Sequence, residues 1–141
     1  MATDQELQIL AAGTLAEVGN LSVEQREAVL AKAFHQQQQE DPASGVLGID
    51  FDRWRKDAEV SLYKGICMSE EAIKKVLKAA GAGEVDLIKY VTGIAIALVT
   101  PYGWLAALLA AVVVPFILSH LKEDLCGEWK RRLVGLNWVP A

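Results

Sequence analysis

This chain has little of what catalytic and metal sites are usually built from. Its 141 residues include two histidines, His35 and His120, and two cysteines, Cys67 and Cys126. The cysteines are too few and too far apart to read as a disulfide framework or a zinc site, and two isolated thiols in a reducing compartment are expected. Neither histidine has a nucleophile and an orienting acid patterned beside it. Asp50-Phe51-Asp52 lacks the glycine and closing glutamate of a calcium loop. Gly81-Ala82-Gly83 lacks the third glycine and the preceding strand of a dinucleotide fingerprint. These absences point away from an enzyme and from any cofactor. Basic excess is missing as well: 14 Lys and Arg stand against 18 Asp and Glu, a formal net charge of −4, which makes nucleic acid an unfavourable partner. Lys74, Lys75 and Lys78 share a helix face, yet no arginine, asparagine or glutamine accompanies them to read base edges. The start, MATDQELQIL, has neither the basic n-region nor the apolar h-region of a signal peptide, so export through a cleaved leader is not expected.

The most informative absence is local. From Tyr90 to Ser119 thirty residues pass without a charged side chain, YVTGIAIALVTPYGWLAALLAAVVVPFILS. The hydrophobic fraction of 52% slightly exceeds that of an ordinary water-soluble domain, and the excess sits almost entirely here. About 20 apolar residues in helix cross a hydrocarbon core of about 30 Å, so the run is long enough to span a bilayer or fold back within it. Pro101 and Gly103 interrupt it and predict a hinge between two arms, Tyr90–Thr100 and Tyr102–Leu121. One open strand could not satisfy its backbone in lipid, which favours helix for Ile94–Leu98 over strand.

The remainder reads as amphipathic helices. Thr3 or Asp4 caps a helix with Leu7, Leu10, Ala11, Leu15 and Val18 along one side, and Ser22 with Gln25 forms a capping box for a second helix with the stripe Ala28, Val29, Ala31 and Phe34. Together they predict a helical hairpin over residues 1–44, followed by a linker at Glu40–Gly45. Amphipathic helices follow over 45–89. Asp50 caps one that presents Phe51, Trp54, Ala58 and Leu62 and ends near Lys64-Gly65. Ser69 starts another that presents Ile73, Val76, Leu77 and Ala80 and is closed by Gly81. Residues 90–121 form the hydrophobic hairpin. Residues 122–141 form a basic amphipathic tail, its helix carrying Leu121, Leu125, Trp129 and Leu133.

The predicted fold is therefore all-α, with a hydrophobic, Pro/Gly-kinked helical hairpin near the C-terminus. This plan is similar to that of pore-forming bacterial toxins and, over the last seventy residues, to that of four-helix membrane-active bacteriocins; the likeness is one of architecture, and it implies insertion into a bilayer. On this reading Gly93, Ile94, Ile96, Leu98, Leu105, Leu108, Leu109, Val112, Val113, Phe116 and Ile117 enter the membrane, Pro101 and Gly103 form the hinge, and Lys130, Arg131 and Arg132 meet lipid headgroups. The partners are then the lipid bilayer, a further copy through small-residue pairs such as Gly93/Ala97 and Gly103/Ala107, and a protein bound by residues 1–89. Four basic residues flank each end of the run, which places both ends, and the N-terminal part, in the cytoplasm. The alternative is a soluble helical bundle that buries the hairpin as its core and acts as an interaction or scaffold module.

Overall fold

Polar caps set where the helices begin. The computed structural model describes residues 3–40 and 50–141. Thr3 accepts from the Glu6 backbone at 3.1 Å while Glu6 reaches back to the Thr3 amide, and this box opens α1, Asp4–Val18. Ser22 and Gln25 make the reciprocal pair that opens α2, Val23–Glu40. Asp50 accepts from the Arg53 amide at 2.8 Å to start α3, Phe51–Cys67, and Ser69 accepts from Ala72 to start α4, Glu70–Ala82. α4 runs past Gly81 and stops at Gly83, whose φ of 136° only glycine adopts without strain. There α5 begins, Glu84–Leu98, so its charged first turns and the start of the apolar run share one helix. α6 is Gly103–Ser119, and α7, capped by Asp124, is Leu125–Gly135. The all-α expectation holds, with seven helices and no strand among the described residues. The expected linker lies mostly outside them.

The centre of the molecule is α6. Every residue from Leu105 to Val114 is buried, which is what a helix apolar on all sides requires. α5, α1 and α2 pack directly against it, α5 most extensively. α7 closes a further side, setting Leu125, Trp129 and Leu133 into the core with Trp129 against Phe116. The small residues serve these contacts. A Cβ on Gly103 would come within 2.8 Å of Leu10 Cδ1, so the glycine lets α1 lie on the start of α6.

Here the membrane expectation is overturned. No helix among the described residues is long and apolar enough to cross a membrane. Pro101 and the residues around it separate the run into two helices, and α6, with 17 residues, reaches about 25 Å. Its side chains already have protein partners on every side, and a membrane placement has no spanning element to rest on.

An enclosed helix must also satisfy its backbone. Pro115 lies inside α6 and has no N–H to give to the Ala111 carbonyl four residues earlier. Arg26, 6% exposed, supplies the missing donor from α2: Nη1 lies 2.8 Å from Ala111 O. The same guanidinium donates to the carbonyls of Gly19 and Leu21 beyond the end of α1 and reaches Glu84 of α5. The buried face of α2 is accordingly Arg26, Leu30, Ala33, Phe34 and Gln37; of the expected stripe Phe34 is buried, Val29 and Ala31 are half-buried and Ala28 is exposed.

Cys67 at the end of α3 and Cys126 at the start of α7 form a disulfide, with Cα atoms 5.7 Å apart. This corrects the expectation of two isolated thiols. The bond closes a loop with a sequence separation of 59, and the chain-entropy relation assigns such a loop about 4 kcal/mol. Reduction should lower the urea midpoint by a corresponding amount, and the C67A/C126A variant should be insensitive to reductant. Arg26→Met should destabilise by about 2–4 kcal/mol. In a Pro115→Ala background, which restores the N–H, the cost should shrink by about 1 kcal/mol. Equal costs in the two backgrounds, measured by urea unfolding, would show that Arg26 does not stand in for the missing donor.

Candidate functional site

The residues expected to enter a membrane separate into two groups. Leu105, Leu108, Leu109, Val112, Val113 and Ile117 are buried in α6, with Phe116 partly covered beside Trp129. They form the core. On α5, Gly93, Ile94 and Ile96 are half-buried and Leu98 is 52% exposed. Of the expected hinge pair, Pro101 is exposed in the connection after α5, and Gly103 is the first residue of α6. The three basic residues of the tail do not act together. Lys130 and Arg131 face solvent, Arg131 paired with Glu128 at 2.9 Å, whereas Arg132 turns inward to Glu59.

The less covered side of α5 borders a groove of about 680 Å³ shared with α1, α3 and α4. Gly65, Ala72, Gly93 and Ala97 occupy little of it, and this leaves it open. Leu7, Ile94 and Leu98 give it an apolar character. Its polar margin is Asp4, Asp86, Lys89 and Tyr90. Lys89 Nζ sits 2.6 Å from Asp4 Oδ1, so that base is already matched by one acid, and the remaining Asp86 leaves the margin acidic. Desolvation pushes the Tyr90 phenol up, Lys75 opposing this and Glu71 adding to it, so the hydroxyl stays protonated at neutral pH. The groove escapes a reading of the sequence because its residues come from four helices; Gly93, Ile94, Ala97 and Leu98 stand out in the apolar run, but nothing local shows that they border an open groove.

A second site surrounds Glu59, which is 1% exposed. Its Oε2 accepts from Trp129 Nε1 and Arg132 Nε, each at 3.0 Å, and its Oε1 accepts from Arg132 Nη2 at 3.1 Å and Arg55 Nη2 at 2.9 Å. Arg55 also forks onto Glu27 through Nε and Nη2. Burial alone would push the Glu59 carboxyl up. The Arg132 hydrogen bonds, the charges of Arg55 and Arg132 and the indole N–H outweigh it and hold the group below the usual carboxylate range. Arg55 and Glu59 share a helix with the predicted apolar stripe but lie outside it in the sequence pattern, because charge alone does not disclose a buried partner seventy residues away.

His120, Glu123 and Glu128 bring ligating atoms within 4.8 Å of one another. His120 Nδ1 is 2.8 Å from Glu123 Oε2, and Glu128 is engaged by Arg131, so each of these groups already has a partner. Comparison with protein-family models, with curated proteins and with solved structures gave no match.

The Glu59 cluster makes stability depend on acid. Because its folded pKa lies below the unfolded value of about 4.3, its contribution is complete above that value and is lost as pH falls through the folded pKa. Glu59→Gln should flatten this acid limb of the unfolding free energy and cost about 3 kcal/mol at neutral pH, since two guanidinium groups lose their shared charge. Urea unfolding across the acid range checks both.

Proposed function

We propose that the protein is a non-enzymatic interaction module: a helical bundle whose core is the apolar pair α5 and α6, and whose groove beside α5 receives the apolar face of a basic amphipathic helix from a protein partner. The observation that carries this reading is the groove itself, about 680 Å³, apolar within and acidic at its margin, on a chain of net charge −4. Grooves of this kind take helices through side chains at i, i+3, i+4 and i+7. Charge selects among occupants. A further copy of this chain carries the same −4 and is repelled, whereas lysines flanking an apolar stripe are drawn to Asp86, the acid of the margin that Lys89 does not match. Residues 1–89 contribute most of the surroundings, consistent with a protein partner for that part of the chain.

The test uses a synthetic helix with leucines at i, i+3, i+4 and i+7 and lysines elsewhere, titrated by fluorescence anisotropy. Ala97 is exposed, so Ala97→Arg leaves the fold intact while filling and charging the groove. It should weaken binding at least about tenfold, about 1.4 kcal/mol. Ala28→Arg, an exposed position on α2 with the same change in charge, should bind as the wild type. Equal loss in both variants would reduce the effect to net charge and remove the groove from the account, and equal affinity for a peptide whose lysines are replaced by glutamates would remove its acidic margin from the account.

A further inference from the structure

One of the four tryptophans is left without a polar or aromatic partner inside the protein. Trp54 and Trp129 pack against other rings, and Trp138 lies beneath the Arg55 guanidinium. Trp104 makes no ring contact, cation contact or hydrogen bond among the described residues, and it is 38% exposed although every residue from Leu105 to Val114 behind it is buried. It lines a cavity of about 380 Å³ between α1, α2 and α6, away from the groove. Leu108 continues the apolar side. The polar part of the lining is uncommitted: Thr14, Glu17, Lys32 and Gln36 have no side-chain hydrogen bond or ion pair among the described residues. Thr14 is the informative one. It is 8% exposed, yet its hydroxyl keeps accessible surface. Thr92 shows the usual alternative for a helical threonine, closing onto the Ile88 carbonyl of its own helix at 2.6 Å. The Thr14 hydroxyl, nearly covered by protein, retains its hydrogen-bonding capacity on the wall of the cavity.

We propose that this cavity binds one pyranose ring of an uncharged sugar. The C–H bonds of such a ring are polarised by neighbouring oxygens and meet the electron-rich face of an indole, the part taken by Trp104, and Leu108 extends that surface. The sugar hydroxyls both donate and accept, which suits a wall that holds a hydroxyl, an amide, a carboxylate and an ammonium group. Charge excludes other occupants. Glu17 and Lys32 contribute one charge of each sign, so an anion or a cation that pairs with one meets the other. A wholly apolar ligand would strip water from the polar groups and return no hydrogen bond. A zwitterion matches both charges, but both side chains are exposed and screened by water, so the covered Thr14 hydroxyl and the Trp104 ring carry the recognition. Size sets the last limit. A volume of about 380 Å³ is near the lower end for a ligand site and holds one ring, leaving further sugar units outside.

Methyl β-D-glucopyranoside is the probe, because its ring substituents are all equatorial and its axial C–H bonds stand together on each face. Saturation-transfer NMR should label the axial protons of one ring face most strongly, and the effect should saturate with concentration. Tetrahydropyran-2-methanol, which keeps the ring and lacks its other hydroxyls, and phenylalanine, a zwitterion with an apolar body, should each bind at least about tenfold more weakly. Thr14→Val keeps the shape of the side chain and removes a hydroxyl that no other group of the protein uses, so it should weaken the glucoside about fivefold, the share of one hydrogen bond. Trp104→Leu should abolish the transfer. Should that variant unfold, Thr14→Val and the two control ligands decide. Overturning results are the absence of saturable transfer to the glucoside, unchanged affinity in Thr14→Val, transfer that persists in a folded Trp104→Leu, or affinity for either control ligand equal to that for the glucoside; equality with phenylalanine would assign the cavity to a zwitterion.

Discussion

A helix without a polar face has to be covered on every side, and the architecture of this protein follows from covering α6. Ten successive buried residues, Leu105 to Val114, expose no stripe to water, so the surrounding helices need only one apolar face each and are amphipathic. Side chains alone do not complete the enclosure. Pro115 frees a carbonyl in the middle of the buried helix, and an unpaired carbonyl at that depth is costly. Arg26 meets it at 2.8 Å and, with its remaining donors, ties the end of α1 and the start of α5 to the same point. One cation therefore fixes how four helices meet, and the loss of a backbone donor in α6 becomes a reason for α2 to sit where it does.

Much of this was legible in the sequence, and the pattern of success is physical. Caps are local chemistry: Thr3 with Glu6, Ser22 with Gln25, and Asp50 and Ser69 each satisfy amides within three residues, so their meaning does not depend on the rest of the fold. The apolar stripe of α1 is similarly plain. What the sequence could not show depends on distant partners. Arg26, Arg55 and Glu59 look like solvated charges until the carbonyls and carboxylates they serve arrive from other helices. Cys67 and Cys126 look isolated until α7 docks on the end of α3.

The largest error has the same origin. Hydropathy records how strongly a segment avoids water and says nothing about what replaces it. For Leu105 to Ile117 a lipid tail and a ring of amphipathic helices are nearly equivalent surroundings, and the sequence alone does not choose between them. Small residues are equally ambiguous. Gly103 and the alanines of α6 permit close helix approach in lipid, yet here the approach is made by Leu10 of the same chain. The disulfide and the cap at Asp124 place α7, and α7 closes the side of α6 around Phe116.

The two helices of the apolar run differ in a way that bears on function. α6 is consumed by the core and has nothing left to present. α5 carries Glu84, Asp86 and Lys89 in its first turns and ends with Ala97 and Leu98 exposed, so it belongs to the core along one side and to the surface along another. An element in that position can display apolar groups at an interface while its opposite face keeps them rigid, which lowers the ordering cost of association. The groove lies against α5, and its shape is fixed by the same packing that encloses α6. In the proposed function stability and recognition are thus carried by opposite faces of one helix, and a partner that filled the groove would read a surface already held in place by the core.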